Sequence, residues 1–242
     1  MIPDTRQREE HSVETQQRLS EAHRYNKWIR DLISPYVTGR VLDIGSALGN
    51  IVKYFLDREA LVSLDIEQRY VDYLNDCFSD HPDFVAHLCD ASDSRILEIL
   101  EPQSFDSVTC LNVIEHIPDD AAVCRHVFEL LKPGGHFAVV APALQWIYGS
   151  MDSADHHCRR YYRDGMTRLF ENAGFQVTKC HYFNFVGVWG WWYYGRVLKS
   201  EYIPGGATLK WVDRILGATR KVENVITPPL GQSLVCVGRK PM

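Results

Sequence analysis

Val41-Leu-Asp-Ile-Gly-Ser-Ala-Leu-Gly-Asn50 decides how the chain reads: an apolar strand runs into a turn with two glycines and an acidic residue. A dinucleotide-binding turn has the pattern G-x-G-x-x-G, but counted from Gly45, positions 47 and 50 are Ala47 and Asn50. A P-loop, G-x-x-x-x-G-K, fails at Asn50 as well. The turn is of nucleotide type without the glycine that lets a backbone approach a pyrophosphate.

Outward from this turn, short apolar strands are expected at 40–44, 61–65, 84–88, 105–111 and 136–141. Helical segments fall between them at about 48–58, 67–79, 92–100 and 119–131. That alternation signals a parallel sheet covered on both faces. After residue 142 the rhythm breaks into a polar and aromatic stretch, a helix at 163–173 and a strand at 175–183. An aromatic-rich segment then precedes a last strand at 233–238, expected in the same sheet at or near an edge. The predicted fold is α/β: a doubly wound, mostly parallel seven-stranded sheet, Rossmann-like, in a single domain over 1–242. Within it lie an N-terminal helical lid (12–37), a cofactor-binding core (40–142), substrate-side elaborations (143–232), including a helical insertion, and the last strand (233–238).

Composition narrows the class. A net charge of −5 argues against a general nucleic-acid binder. Seven cysteines without a C-x-x-C pair, several in apolar runs such as Leu234-Val-Cys236-Val, read as buried thiols of a reducing compartment. The start of the chain is too polar for a signal peptide, and Phe183–Gly195 is too short to span a bilayer, so the expected location is cytoplasmic.

In an open α/β sheet, ligands bind beyond the carboxyl ends of the strands. Those ends carry Asp43, Gly45, Ser46 and Gly49; then Asp65; then Asp90-Ala91; then Asn112 with Glu115-His116. Singly, each could be a cap or turn residue. Together at successive strand ends they suggest a site. Asp65, 20 residues beyond Gly45, suits ribose hydroxyls. Ala47 disfavours pyrophosphate, and Asp43 suits an amino group. A ribonucleoside with an amino-acid tail and no phosphate describes S-adenosylmethionine.

On VLDIGSALGN, LVSLDIEQRYVDYL, LCDASD, FDSVTCLNVIEHIPDD and LLKPGGHFAVVAP, the chain resembles class I S-adenosylmethionine-dependent methyltransferases over nearly its whole length. Ala47 departs from the middle glycine of that family's D-x-G-x-G-x-G. The resemblance implies S-adenosyl-L-methionine as cofactor and S-adenosyl-L-homocysteine as product. It places Asp43, Gly45, Ser46 and Gly49 at the methionine end, Asp65 on the ribose and Ile66 on adenine. Asp90 would accept from the adenine amino group, beside Ala91. Asn112 and His116 would lie under the sulfonium. Leu144-Gln-Trp-Ile-Tyr-Gly149, Asp152 and His157-Cys-Arg-Arg-Tyr161 resemble a bacterial subgroup with a YG…D…HxRRY signature, often associated with surface-glycan genes.

For catalysis, His157 is the leading base and His116 a candidate of the cofactor surroundings; the alternative for His157 is a bond to Asp152 that shapes the loop. Tyr148, Asp152, Arg160 and Tyr161 are candidate substrate contacts. Arg159 and Arg160 could grip an anion or pair with Asp152, Asp155 or Asp164. Tyr25, on the N-terminal helix, is a candidate cofactor contact. Some quinone-pathway methyltransferases carry E-x-x-E-H where this chain has Asn112 first, so no metal is expected. Tryptophans 189, 191 and 192 with Tyr193 and Tyr194 could form an acceptor pocket, stack on a sugar, touch a membrane or fill a core. The expected activity is methyl transfer to a small-molecule, natural-product or glycan-linked acceptor, at oxygen rather than nitrogen. The alternatives are a non-catalytic accessory protein of the same fold and, less favoured, an NAD-dependent oxidoreductase. Acceptor identity and oligomeric state are not encoded in these motifs.

Overall fold

The computed structural model describes residues 5–242, with side chains from Val13 onward. Its centre is one seven-stranded sheet: β1 Arg40–Ile44, β2 Ala60–Asp65, β3 Phe84–Leu88, β4 Phe105–Leu111, β5 Leu131–Pro142, β6 Gln176–Phe183 and β7 Ser233–Arg239. The strand order is β3-β2-β1-β4-β5-β7-β6. The first five strands pair in parallel, whereas β7 runs antiparallel to both β5 and β6. The last strand therefore lies second from an edge, inserted between strands that precede it in sequence.

The helices are α1 Thr5–Glu21, α2 His23–Ile33, α3 Gln68–Cys77, α4 Ile96–Ile99, α5 Asp120–Leu130, α6 Ser150–Ala154, α7 Arg163–Asn172, α8 Phe185–Trp192 and α9 Gly206–Glu223. A π-helical turn, Tyr193–Val197, continues α8. Alternating strand residues face opposite layers. Leu42, Val108 and Val139 pack with α5 and α7, while Val41, Ala138 and Val140 pack with Trp28, Ile29 and Ile33 of α2. The continuous apolar strands are thus explained by burial on both faces.

The predicted helix at 48–58 contracts to a single 3-10 turn, Val52–Phe55. Gly49 takes φ +69°, and its N–H donates to Ser46 O in a tight turn instead of opening an α-helix. The helix expected at 92–100 is only Ile96–Ile99. The lid expected as one helix over 12–37 is two, broken at Ala22. There the Leu19 carbonyl accepts from Ala22 N at 3.1 Å and from Asn26 Nδ2 at 2.9 Å.

Candidate functional site

A cavity of about 1120 Å³ opens beyond the carboxyl ends of β1, β2, β3 and β4. The strand order reverses between β1 and β4, the place where open α/β sheets bind ligands. Tyr25 and Asn26 of α2, Trp191 and Tyr194 of the α8–π segment, and Leu209 and Leu216 of α9 close over it.

Two buried carboxylates organise its floor. Asp43 accepts from Ser46 Oγ and from Thr109 Oγ1, both at 2.5 Å. Burial pushes its carboxyl up to about 6 despite those bonds. Asp65 accepts from Ala47 N and Glu67 N at 3.0 Å, which fixes the carboxylate and ties the turn after β1 to the end of β2. Its pKa is also raised by burial, with the backbone N–H donors opposing. Ile66, 70% exposed, offers an apolar face on the same wall. Asp90 holds its loop by accepting from Ser92 N and Oγ at 2.8 and 2.7 Å.

The opposite wall carries the histidines. His157 Nδ1 lies 2.9 Å from Asp152 Oδ1, so that ring nitrogen is engaged away from the cavity. Asp152 has no exposed side-chain surface; it also binds Arg160 Nε at 2.7 Å, Trp191 Nε1 at 2.9 Å and Gly149 N at 2.9 Å. Burial alone would raise Asp152, but His157 and Arg160 hold it below its ordinary value. Burial would likewise lower His157, yet Asp152, Glu115 and Asp155 keep it above the usual imidazole range. His116 is the reverse case. Burial and its neighbour His157, ring centroids 4.7 Å apart, drive it down to about 3, so it is neutral at physiological pH.

Of the residues singled out from sequence, Tyr25, Asp43, Gly45, Ser46, Asp65, Ile66, Asp90, Ala91, Asn112, His116 and His157 line this one cavity. Gly49 is not on its wall; it packs behind the turn, where a Cβ would meet Leu74 Cδ2 at 3.0 Å. Tyr148, Asp152, Arg160 and Tyr161, expected to contact substrate, do not line the cavity. Arg160 is sealed by Asp152 and by Ala143 O at 2.8 Å, and its guanidinium lies over Trp191. Tyr161 donates to Asp120 Oδ2 at 2.7 Å, and Tyr148 to His157 O at 2.8 Å. Arg159 pairs with Asp120 rather than an external anion. These residues form the frame behind His157. Sequence alone does not separate a buried charged pair from an exposed anion grip, because the two share one composition.

Sequence reasoning placed Glu115 among the polar residues after β4 but assigned it no contact of its own. It lies on the cavity wall, 1% exposed, with Oε2 making no hydrogen bond. Burial lifts it to about 7, against the pull of His157 and Arg160. Its adjacency to His116 was the available signal. Glu115, His116 and His157 each bring a ligand atom within 4.8 Å of the others, enough for three protein ligands to a divalent cation. The sequence argument against a metal turned on Asn112 and left His157 out of the count.

Residues 7–179 match the family model described as a methyltransferase domain. The chain belongs to that family. Among curated proteins it is 31% identical over 90 residues to the ubiquinone biosynthesis O-methyltransferase of Xanthomonas euvesicatoria pv. vesicatoria, covering 32% of this chain and 38% of that protein. The enzyme of the same name from Ralstonia nicotianae is 58% identical over 43 residues, 18% of each chain. The chain therefore matches well under half the length of these relatives. Phosphoethanolamine N-methyltransferase 2 of Haemonchus contortus, solved with S-adenosyl-L-methionine, shares the fold with a TM-score of 0.61 at 16% identity, over 90% of this chain and 52% of that one.

Proposed function

We propose that the protein methylates a hydroxyl of a small-molecule or glycan-linked acceptor, with His157 taking the proton. The observation that carries this reading is the Asp152–His157 pair on the wall of the same cavity that holds Asp43 and Asp65. The donor set also suits a phosphate-free adenosyl amino acid. Two carboxylates sit at the ends of β1 and β2, and the turn after β1 runs into a 3-10 turn rather than the α-helix N-terminus a pyrophosphate requires.

Bound S-adenosylmethionine supplies an electrophilic methyl on a sulfonium that leaves as a neutral thioether. Asp43 with Gly45 and Ser46 would hold its amino-acid end, Asp65 its ribose hydroxyls, and Ile66 with Asp90 and Ala91 its adenine. Asn112 and Tyr25 would flank it. Neutral His116 would pack beside the reacting centre, too weak a base to take a proton. His157 suits proton transfer, because its Nδ1 is bound to Asp152, which leaves Nε2 to accept the hydroxyl proton as the C–O bond forms. Asp152 acts as a positioning residue, held in turn by Arg160, Trp191 and Gly149. Much of the rate enhancement would come from alignment.

The ubiquinone O-methyltransferase relatives support oxygen as the attacked atom and a small molecule as acceptor. The test has two parts. Calorimetry should show micromolar S-adenosylmethionine binding, lost in Asp65→Ala; absence of binding by the wild type refutes the reading. Metabolite extracts incubated with enzyme and cofactor should show an acceptor gaining one methylene in mass, and that acceptor should turn over far more slowly with His157→Ala.

A further inference from the structure

The insertion between β6 and β7 has two unlike faces. Inward, Trp191, Tyr194, Leu209 and Leu216 close the cavity. Outward, Phe185, Trp189, Trp192, Tyr193 and Arg196 recur at helical spacing along α8 and its π turn, so they share one face, and all five are exposed. Along α9, Lys210, Trp211, Arg214, Lys221 and Val222 form a second exposed stripe. Trp189 is 58% exposed and Trp211 63%, where a packing role would have hidden them. The stripes adjoin: Glu223, at the end of α9, accepts from Asn184 N and Phe185 N at the start of α8.

Charge selects what these faces meet. Residues 184–230 hold six Lys and Arg against three Asp and Glu, in a chain of net charge −5. Two of the three acids are spent internally: Glu223 at the start of α8, and Asp213 on Arg24 N and Tyr25 N. Lys199, Lys210, Arg214 and Lys221 are exposed and make no ion pair among the described residues. An acidic protein thus presents one cationic face studded with tryptophan. That is the pattern of a segment lying in the plane of an anionic membrane. No described helix is long and apolar enough to cross a membrane.

We propose that the outer face of α8 and α9 docks the protein on an anionic phospholipid bilayer. Trp189, Trp192 and Trp211 enter the headgroup region, and Lys210, Arg214 and Lys221 meet lipid phosphates. The surface is independent of the reaction proposed above. Docking holds the cavity one helix thickness, about 10 Å, from the lipid, because the inner sides of the same helices roof it.

The test is co-sedimentation of the full chain with phosphatidylcholine vesicles, with and without phosphatidylglycerol, at low and high salt. Binding is expected only with phosphatidylglycerol and should weaken with salt. Each cation near the surface contributes about fivefold. Lys210→Glu/Arg214→Glu/Lys221→Glu should therefore lower the association constant by about a hundredfold or more. Trp189→Ser/Trp211→Ser should also weaken it and shrink the blue shift of tryptophan emission on vesicles, leaving only the part that Trp192 contributes. Both variants should keep the wild-type melting temperature and cofactor binding. The proposal is overturned if the wild type ignores anionic vesicles at low salt, or if folded variants bind as the wild type does. A dimer in sedimentation velocity, broken by the tryptophan variant and with no vesicle binding, would assign the face to a second copy and overturn it as well. Vesicle binding without cofactor binding would leave the surface standing and remove the methyltransferase reading.

Discussion

Gly45→Ala should be costly for two separable reasons, both located in the turn after β1. Gly45 holds φ +75°, a left-handed conformation that costs a residue with a Cβ about 1–2 kcal/mol. A Cβ there would also stand 2.4 Å from Val113 Cγ2, so the 3-10 turn after β4 must shift, an overpacking cost of about 1–3 kcal/mol. Against these, alanine restricts the unfolded chain and returns about 0.4–1 kcal/mol. The balance is a loss of about 1–4.6 kcal/mol, a fall in melting temperature of about 2–18 °C for a chain of this size. Thermal unfolding of Gly45→Ala, Val113→Ala and the double variant forms a cycle that divides the two parts. Val113→Ala should relieve the steric part and leave the backbone part. If Gly45→Ala melts within about a degree of the wild type, the turn geometry is wrong. If the double variant shows no coupling, the contact with Val113 is not the obstacle.

Three further outcomes follow from the same site. Above the pKa of His157, the free base accumulates, so turnover should rise with pH through it; Asp152→Asn removes the partner that raises that pKa and should move the rising limb to lower pH, read from rate profiles with the identified acceptor. Glu115 binds its proton more tightly folded than unfolded, so its contribution to stability is present below about 4.5 and lost as pH rises toward 7. Glu115→Gln should flatten the melting temperature between those limits, and a variant curve parallel to the wild type contradicts the burial argument. Breaking the buried ion pair with Asp152→Ala leaves Arg160 without a carboxylate partner and should cost about 3–5 kcal/mol in denaturant unfolding, far more than Asp120→Ala at the half-exposed Arg159 pair.

The sheet was legible because its strands are short apolar runs ended by polar residues, and Asp43, Asp65, Asp90 and Asn112 mark those ends. Helix 48–58 misread because its apolar spacing is helical while Gly49 turns the backbone left-handed, a preference that outweighs periodicity over so few residues. The break at Ala22 carries neither proline nor glycine; Asn26 reaches back across it to Leu19, a contact visible only in space. The role of HxRRY was half legible. His157 was placed correctly on the cavity, but whether Arg160 faces a ligand or Asp152 depends on the approach of two loops. Gly149 permits that approach: a Cβ there would lie 2.8 Å from the Gly195 backbone. Glu115 is legible as a strand-end residue, but nothing in N-V-I-E-H announces that one of its oxygens ends without a partner.

The position of β7 sets an order of events for the nascent chain. Because Ser233–Arg239 pairs with both β5 and β6, the sheet cannot close until this later strand has left the ribosome. Until then β5 and β6 each present a bare strand edge, the kind of surface that seeds association between chains. The segment that masks both edges at once is therefore made after the strands it protects, and the interval before it arrives is when those edges are most open to association.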